Sequence, residues 1–393
     1  VAEKKISLLG SVPDDLPPSP GAELIIYLAA RPGWRPVEEV RAVIPPLAEA
    51  LQAVKGSPYD ELLEAQGTDL RLSLTSDVVD FWQEAYRDLE KVRALYGVLA
   101  EGFESPLPTF AEWLQKERQE TLAGLWATAL GYAAHLLDQR RPDEAEPLLR
   151  SMEAGFPLEA RTALDLADLY WRMNRPADTA RVIEAVLDEV PERTRPRAML
   201  NLGAAQLRAG EVEEGRRWLS ALLETEYDER YWALLHLGGV EVLLGAAETA
   251  LSRAREVREV AERAKAVDLL LMALLLEGEA LLRMGKPKEA ATGPLAVAMG
   301  LQEMVGRPFS AISQALLAEA QADWGKGKAK AKELAEKAFR KAREMRDAYA
   351  ASRALFALYK AGGDPGALAM ARREAEAAGH RPWRDYLERL QAS

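Results

Sequence analysis

The spacing of apolar residues changes character near residue 76. Before it the pattern is short and mixed. KKISLLG alternates apolar and polar positions and predicts a strand, and the Pro-rich VPDDLPPSP breaks it. Pro20 to Ala30 is a helical apolar run ended by RPGW. Pro36 to Ile44 predicts a second short helix, with Pro36 suited to its first turn. After Pro45-Pro46, Leu47 to Lys55 predicts a third. Gly67 opens a turn, and Leu70, Leu72 and Leu74 alternate as in a half-buried strand. From Asp77 onward the period is helical. Val79 to Leu99 carries one apolar stripe, GFESPLPTF reads as a loop, and Ala111 to Leu137 is a long amphipathic stretch with Trp113 and Trp126. Helices are expected again at Phe309 to Ala322 and Lys328 to Tyr359. Asp364 to Ser393 has the mixed polarity of a capping element.

Between these limits small residues recur at fixed intervals. Ala145, Ala180, Gly215 and Ala250 stand 35 residues apart, each after a polar turn: RRPDE, RPADT, EVEE and AAET. Ala133, Asp168, Gly203 and Gly238 stand twelve residues before them, and Gly278 with Ala290 repeats the pair after a step of 40. Small residues belong where the two helices of a hairpin touch, because bulk there pushes the axes apart. A period of about 34 residues built from helix pairs resembles the tetratricopeptide repeat. That resemblance implies a mainly α fold, a right-handed superhelix that presents a surface rather than carrying out chemistry. The strand, three short helices and strand pair ahead of it follow the order of a small winged-helix domain.

The chain has 393 residues, 48% of them hydrophobic and 29% charged, enough for a large core with solvated helix faces. A net charge of −11 argues against nonspecific nucleic-acid binding by the whole chain and leaves room for a local basic surface. There is no Cys, which removes disulfides, thiolate metal sites and cysteine nucleophiles together. His135, His236 and His380 are far apart and form no HExxH pattern, so neither a zinc site nor a Ser-His-Asp triad can be assembled from neighbouring positions. GKGKAK at 325 lacks the Walker spacing. The expectation is a protein with no catalytic residues, no metal and no cofactor, hence no enzyme. The longest apolar stretch, Leu269 to Leu276, is far short of the ~20 residues that span a bilayer. The first twenty residues lack a signal peptide's apolar run, so the expected setting is cytoplasmic with no membrane partner. Asn occurs only at Asn174 and Asn201 in a chain rich in Ala, Leu, Arg and Glu, a bias shared by thermophilic sources and GC-rich genomes.

Several segments, in order, resemble the antibiotic-regulatory (SARP/BTAD) type of bacterial transcriptional activator. IIYLAARPGWRPVEEV is similar to that family's entry to its DNA-binding fold, and Asp77-Val78-Val79-Asp80-Phe81 to its Val-Asp-x-x-Phe junction. ALYGVLAEGFES, FAEWLQKERQETL and PDEAEPLLRSMEAGFPLEA are similar to its helical part, the last with Pro157 at the closing position. The similarity spans roughly residues 5 to 195. It implies a winged-helix-like domain over 1–76, an activator-type helical domain over 77–195, and tetratricopeptide-like repeats with a cap over 196–393. It also implies a transcription regulator, with DNA and RNA polymerase as partners and a homodimer among its assemblies. The helix in the DNA-reading position, PPLAEALQAVKG, departs from the family: it carries Glu49 and only one cation, Lys55. DNA reading needs Arg or Lys for phosphates and base edges. Two readings stay open: a degenerate winged helix that only packs, or DNA contact through other residues.

The first helix of each tetratricopeptide hairpin lines the groove. Counting from the small residues places Arg172, Arg197, Arg208, Trp232 and Arg283 there. Arginines in a concavity recognise carboxylates, phosphates or peptide termini through paired hydrogen bonds, and a Trp stacks on a ring or guanidinium. A protein or peptide partner, or an anionic nucleotide-like effector, would suit such a groove. Asp165 and Glu279 face the same way and would neutralise part of it. The competing reading is that these arginines complement helix C-termini and stay solvated. A second candidate is the basic run that includes Lys326, Lys328, Lys330, Arg340 and Lys341, a patch for nucleic acid or an anionic partner. Against it stands an ordinary solvated helix face with intrahelical ion pairs. The alternative to a DNA-binding regulator is therefore an effector receptor, or an interaction scaffold without DNA contact.

Overall fold

The computed structural model describes residues 5–10, 12–13, 16, 18–85, 87–305, 310–325 and 327–392. The chain is mainly α and divides into two compact units, Val1–Leu158 and Glu159–Ser393.

In the first unit β1 (Lys5–Ile6) pairs in parallel with β5 (Thr75–Ser76). Between them run α1 (Pro20–Ala30), β2 (Arg35–Pro36), α2 (Val37–Val43), α3 (Leu47–Val54), β3 (Leu63–Gln66) and β4 (Asp69–Leu72). β4 lies between β2 and β3 and is antiparallel to both. Ser19 caps α1, its Oγ accepting the Ala22 N–H at 3.2 Å, and Pro20 fills the first position, where the missing N–H costs nothing. On α3, Leu47, Ala50 and Val54 are buried at helical spacing, while Glu49, Gln52 and Lys55 beside them are exposed. Leu70 and Leu72 are buried as the alternation requires. The unit continues with α4 (Asp77–Glu84), α5 (Leu89–Leu95), α6 (Pro108–Asp138) and α7 (Pro142–Gly155). The Asp77 carboxylate accepts the Leu8 N–H at 2.8 Å and the Ser7 hydroxyl at 2.7 Å, tying the segment after β1 to the start of α4. The single stripe expected over Val79 to Leu99 is two helices, because the Asp88 side chain caps α5 through the Lys91 N–H at 3.1 Å.

The second unit is an array of helical hairpins. They are α8 (Ala160–Arg172) with α9 (Pro176–Val186), α10 (Arg195–Ala209) with α11 (Val212–Leu223), and α12 (Glu229–Leu244) with α13 (Ala247–Ala264). Next come α14 (Val267–Arg283) with α15 (Pro287–Thr292) and α16 (Pro294–Val305), α17 (Ser310–Trp324) with α18 (Lys328–Met345), and α19 (Ala348–Gly362) with α20 (Pro365–Ala377); α21 (Arg381–Ala392) follows. Most of the periodic small residues sit at helix contacts. A Cβ on Gly203 would lie 2.7 Å from Leu219 Cγ, and one on Gly215 would lie 2.7 Å from the Gly203 carbonyl oxygen, so α10 and α11 touch backbone to backbone. Ala145, Ala180, Ala250 and Ala290 are buried. Asp168 does not fit the pattern: it is exposed, and the neighbouring Ala167 is buried instead, its carbonyl accepting from the Thr179 hydroxyl at 3.3 Å. The step of 40 comes largely from α13, which has 18 residues against 12 in α11. The helix expected over Lys328 to Tyr359 is two. Arg346 turns left-handed at φ 52°, and Asp347 caps α19 through the Ala350 N–H at 2.9 Å.

Candidate functional site

The first helices of successive hairpins α10, α12, α14, α17 and α19 pack side by side and form one wall of the second unit. α8 adjoins this wall through Trp171, whose ring centroid lies 4.9 Å from the Arg208 guanidinium of α10, and with α8 the wall has a solvated part and a covered part. On α8, Arg161, Asp165, Asp168 and Arg172 are exposed at i, i+4, i+7 and i+11, a single polar stripe. α10 begins alike, with Arg197 and Asn201 exposed, but from Leu202 to Leu207 every residue is buried. From Ala233 to Leu243 on α12, and from Leu269 to Leu282 on α14, no residue is exposed. A helix that is apolar all round has to be covered all round.

Part of the cover is α21, which packs on α10 and α12 as well as on α20. Trp383 is fully buried, and its indole N–H donates to Ser352 Oγ at 2.8 Å. Tyr386 stacks on Trp383 with ring centroids 5.2 Å apart, and Phe356 meets Trp383 edge-on at 5.4 Å. Leu243 of α12 and Leu387 of α21 belong to the same apolar cluster. Arg389 donates to the Leu243 carbonyl at 2.7 Å, satisfying an acceptor at the C-terminal end of α12. His380 Nδ1 accepts the Trp383 N–H at 3.2 Å and so caps α21, while its ring stacks on Tyr349 at 4.6 Å.

Beneath α21 lies a buried ion cluster. Arg353 is 1% exposed and donates to Glu279 Oε1 at 2.5 Å; its second terminal nitrogen is 3.5 Å from Glu319 Oε2. Arg283 donates to Glu319 Oε1 at 2.5 Å and lies 3.7 Å from Glu279. Two cations and two anions from α14, α17 and α19 thus face one another in a ring. The Arg353 guanidinium lies 4.0 Å from the Trp383 ring centroid, and that of Arg283 lies 4.8 Å from that of Tyr386. Burial alone would raise the Glu319 pKa, but Arg283 and Arg353 outweigh it and hold the carboxyl below its ordinary range. Burial likewise opposes the charge on Arg353, yet Glu279, Tyr349 and Glu319 raise its pKa above the ordinary value.

The arginines picked from the sequence separate into two groups. Arg208 is held inside the unit: its guanidinium donates to Asn174 Oδ1 at 2.8 Å and to the Ala378 carbonyl at 2.7 Å, and lies 4.9 Å over the Trp171 ring. Burial lowers its pKa. Arg283 belongs to the ion cluster. Arg172 and Arg197 are exposed, and Trp232 is half-buried among the leucines of the α10–α14 core. Burial and the charge of Arg208 push His236 down to about 4 and His380 down to about 3, so both rings are neutral at pH 7. Of the basic run, Lys326 lies outside the described residues. Lys328, Lys330 and Arg340 are exposed and Lys341 is half-buried on α18, whose other face buries Ala331, Ala335, Ala338 and Ala342. Sequence reasoning missed the anchoring roles of Arg353, Glu319 and Trp383. The readable signal was a lone charge in an otherwise small and apolar helix: Glu319 in ALLAEAQA and Arg353 in AASRALFALY.

A family model described as Tetratricopeptide repeat matches residues 136–195 and 173–236. No curated protein matches the sequence. Among solved structures, a Rap protein complexed with Competence and Sporulation Factor is similar at 14% identity and a TM-score of 0.54, covering 80% of this chain and 89% of that one. The apo form of the quorum sensor NprR from B. thuringiensis is similar at 12% identity and a TM-score of 0.49, covering 91% of this chain and 96% of that one. The fold is tetratricopeptide-like and superhelical. No helix among the described residues is long and apolar enough to cross a membrane.

Proposed function

We propose that this protein is a regulator whose tetratricopeptide-like array takes a protein or peptide partner on its first-helix wall. The observation that carries the reading is the division of that wall. Its covered part is apolar and held by ion pairs. Its solvated part sets charges of both signs, Arg161, Asp165, Asp168 and Arg172, along α8 and continues to Arg197 and Asn201 on α10. A stripe of mixed charge on a rigid wall selects a partner by complementary charge and steers its approach. The Rap protein of similar fold was solved with a bound factor, and we carry over only partner capture. Arg172→Glu with Arg197→Glu reverses two charges without touching the core. Partners recovered by wild-type protein from its source's extract, then measured singly by calorimetry, should bind this variant at least ~10-fold more weakly, a loss of about 1.4 kcal/mol. Unchanged affinity would move the partner site off this wall.

The finer reading is a transcription regulator of the bacterial transcriptional activator type. The order α1, β2, α2, α3, β3, β4, with β4 between β2 and β3, supports a winged helix as its DNA-facing part. The exposed side of α3 offers Glu49, Gln52 and one cation, Lys55, which favours a second reading as a scaffold without DNA contact. A gel shift with the protein's own promoter region at rising salt separates them: a salt-sensitive shift supports the regulator, and no shift at low salt the scaffold. An anionic, nucleotide-like effector is a further reading, for which Arg172 and Arg197 supply the exposed guanidinium groups. Thermal-shift measurements with nucleotides test it.

A further inference from the structure

We propose that α21 is an internal ligand of the first-helix wall, and that the wall's covered part accepts in its place a partner's amphipathic helix with the same anchors. This rests on the partner-binding reading above and names the class of partner.

Three observations carry it. First, α21 is built like a helix that lies in a groove. Trp383, Tyr386 and Leu387 stand at i, i+3 and i+4 and join one apolar cluster, while Arg384 and Asp385 between them pair with each other at 2.9 Å. Second, α21 reaches beyond the last hairpin, α19 with α20, to do so. It packs on α10 and α12, and its Arg389 ends at the Leu243 carbonyl, 146 residues away in the chain. A cap that only shielded the last hairpin would need none of these contacts. Third, the wall has polar groups that α21 uses incompletely. Arg208 Nε and Arg283 Nε are buried without a hydrogen-bond partner, and the face of Tyr386, not an acceptor, lies over Arg283. Unmet buried donors weaken the hold of the present occupant relative to one that satisfies them. The preferred partner helix therefore carries an aromatic at i and i+3, Leu at i+4, and a carboxylate or amide within reach of the arginines. The internal helix lowers the partner's apparent affinity by the fraction of time it stays docked.

The test needs no natural partner, so its failure is distinct from failure of the partner-binding reading. A fluorescein-labelled peptide of sequence RPWRDYLERLQA is titrated against full-length wild type and full-length Trp383→Ala/Tyr386→Ala, with a peptide lacking both aromatics as control. The expected result is binding to the double variant at least ~10-fold tighter than to wild type, and none of the control peptide. A double variant that keeps its helical signal and size yet fails to bind the peptide overturns the proposal. If that variant does not fold, hydrogen exchange on Arg389→Ala decides. Amides of α21 should exchange at least ~10-fold faster while those of α12 keep their wild-type rate. Joint acceleration of α21 and α12, or no acceleration, would show one cooperative body and sink the idea.

Discussion

α8 and α12 hold equivalent places in their hairpins, yet their surroundings are opposite. α8 exposes charges at four positions of one face, whereas α12 has no exposed residue between Ala233 and Leu243. The repeat therefore fixes where a helix lies but not what covers it. Cover is decided by residues far away in sequence: those of α21, and the charges of α14, α17 and α19 that neutralise one another beneath it. On α8 a charge is exposed, so what it gains from any pairing is small, while in the covered part each charge depends on its partners.

The largest expected effect tests that difference directly. Glu319→Ala leaves Arg283 and Arg353 buried with only Glu279 between them, and should cost about 3–5 kcal/mol in urea unfolding. Asp168→Ala on α8 should stay within about 0.5 kcal/mol. Similar values for the two would erase the contrast. Acid is the next lever. His236 and His380 titrate near 4 and 3 in the folded protein against about 6.5 unfolded, so below pH 6.5 the unfolded chain takes up more protons. Their stabilising contribution is fully present above 6.5 and declines as the pH falls towards 4 and 3. Between pH 6.5 and 5 the loss should reach up to about 2 kcal/mol for each ring, and His380→Gln should flatten its share of the slope. Protonation of His380 also removes the acceptor that caps α21 and adds charge near Arg208 and Arg353, so exchange at α21 should rise first.

Smaller effects resolve the wall at single positions. A Cβ on Gly238 would lie 2.6 Å from Leu276 Cδ2, whereas one on Gly239 would meet nothing within 4 Å. Gly238→Ala should destabilise by about 1–3 kcal/mol through overpacking. Gly239→Ala should stabilise by up to about 1 kcal/mol through helix propensity. Thermal unfolding of the two variants gives the signs, and equal signs would show that α12 does not meet α14 on that side. Smallest of all, Arg172→Glu with Arg197→Glu should leave the unfolding midpoint within the effect of about 0.5 kcal/mol while changing partner affinity.

Much of this was legible in the chain. Pro20 to Ala30 was bounded by its own cap and breaker, and Gly203 with Gly215 marked a hairpin contact because no larger residue fits there. What escaped was long-range. VDLLLMALLLEGEALLR announced a helix covered on every side but not by what. Arg208 and Arg283 lie on the first helices α10 and α14, yet their partners, Ala378 and Glu319, lie 170 and 36 residues away. No local period encodes such distances. Asp168, counted with the small residues, is instead exposed on α8, because the contact it was assigned is made by its neighbour Ala167.

The turn between α20 and α21 has one further consequence. A Cβ on Gly379 would lie 2.7 Å from Pro176 Cδ and 2.9 Å from the Asn174 oxygen, at the turn joining α8 and α9. Arrays of this kind ordinarily lengthen or shorten by duplicating a module. Here the last bend meets the opening one, so an added module would part Gly379 from Pro176 and strand α21 out of reach of Leu243. Closure at Gly379 therefore fixes how many modules fit between these two turns.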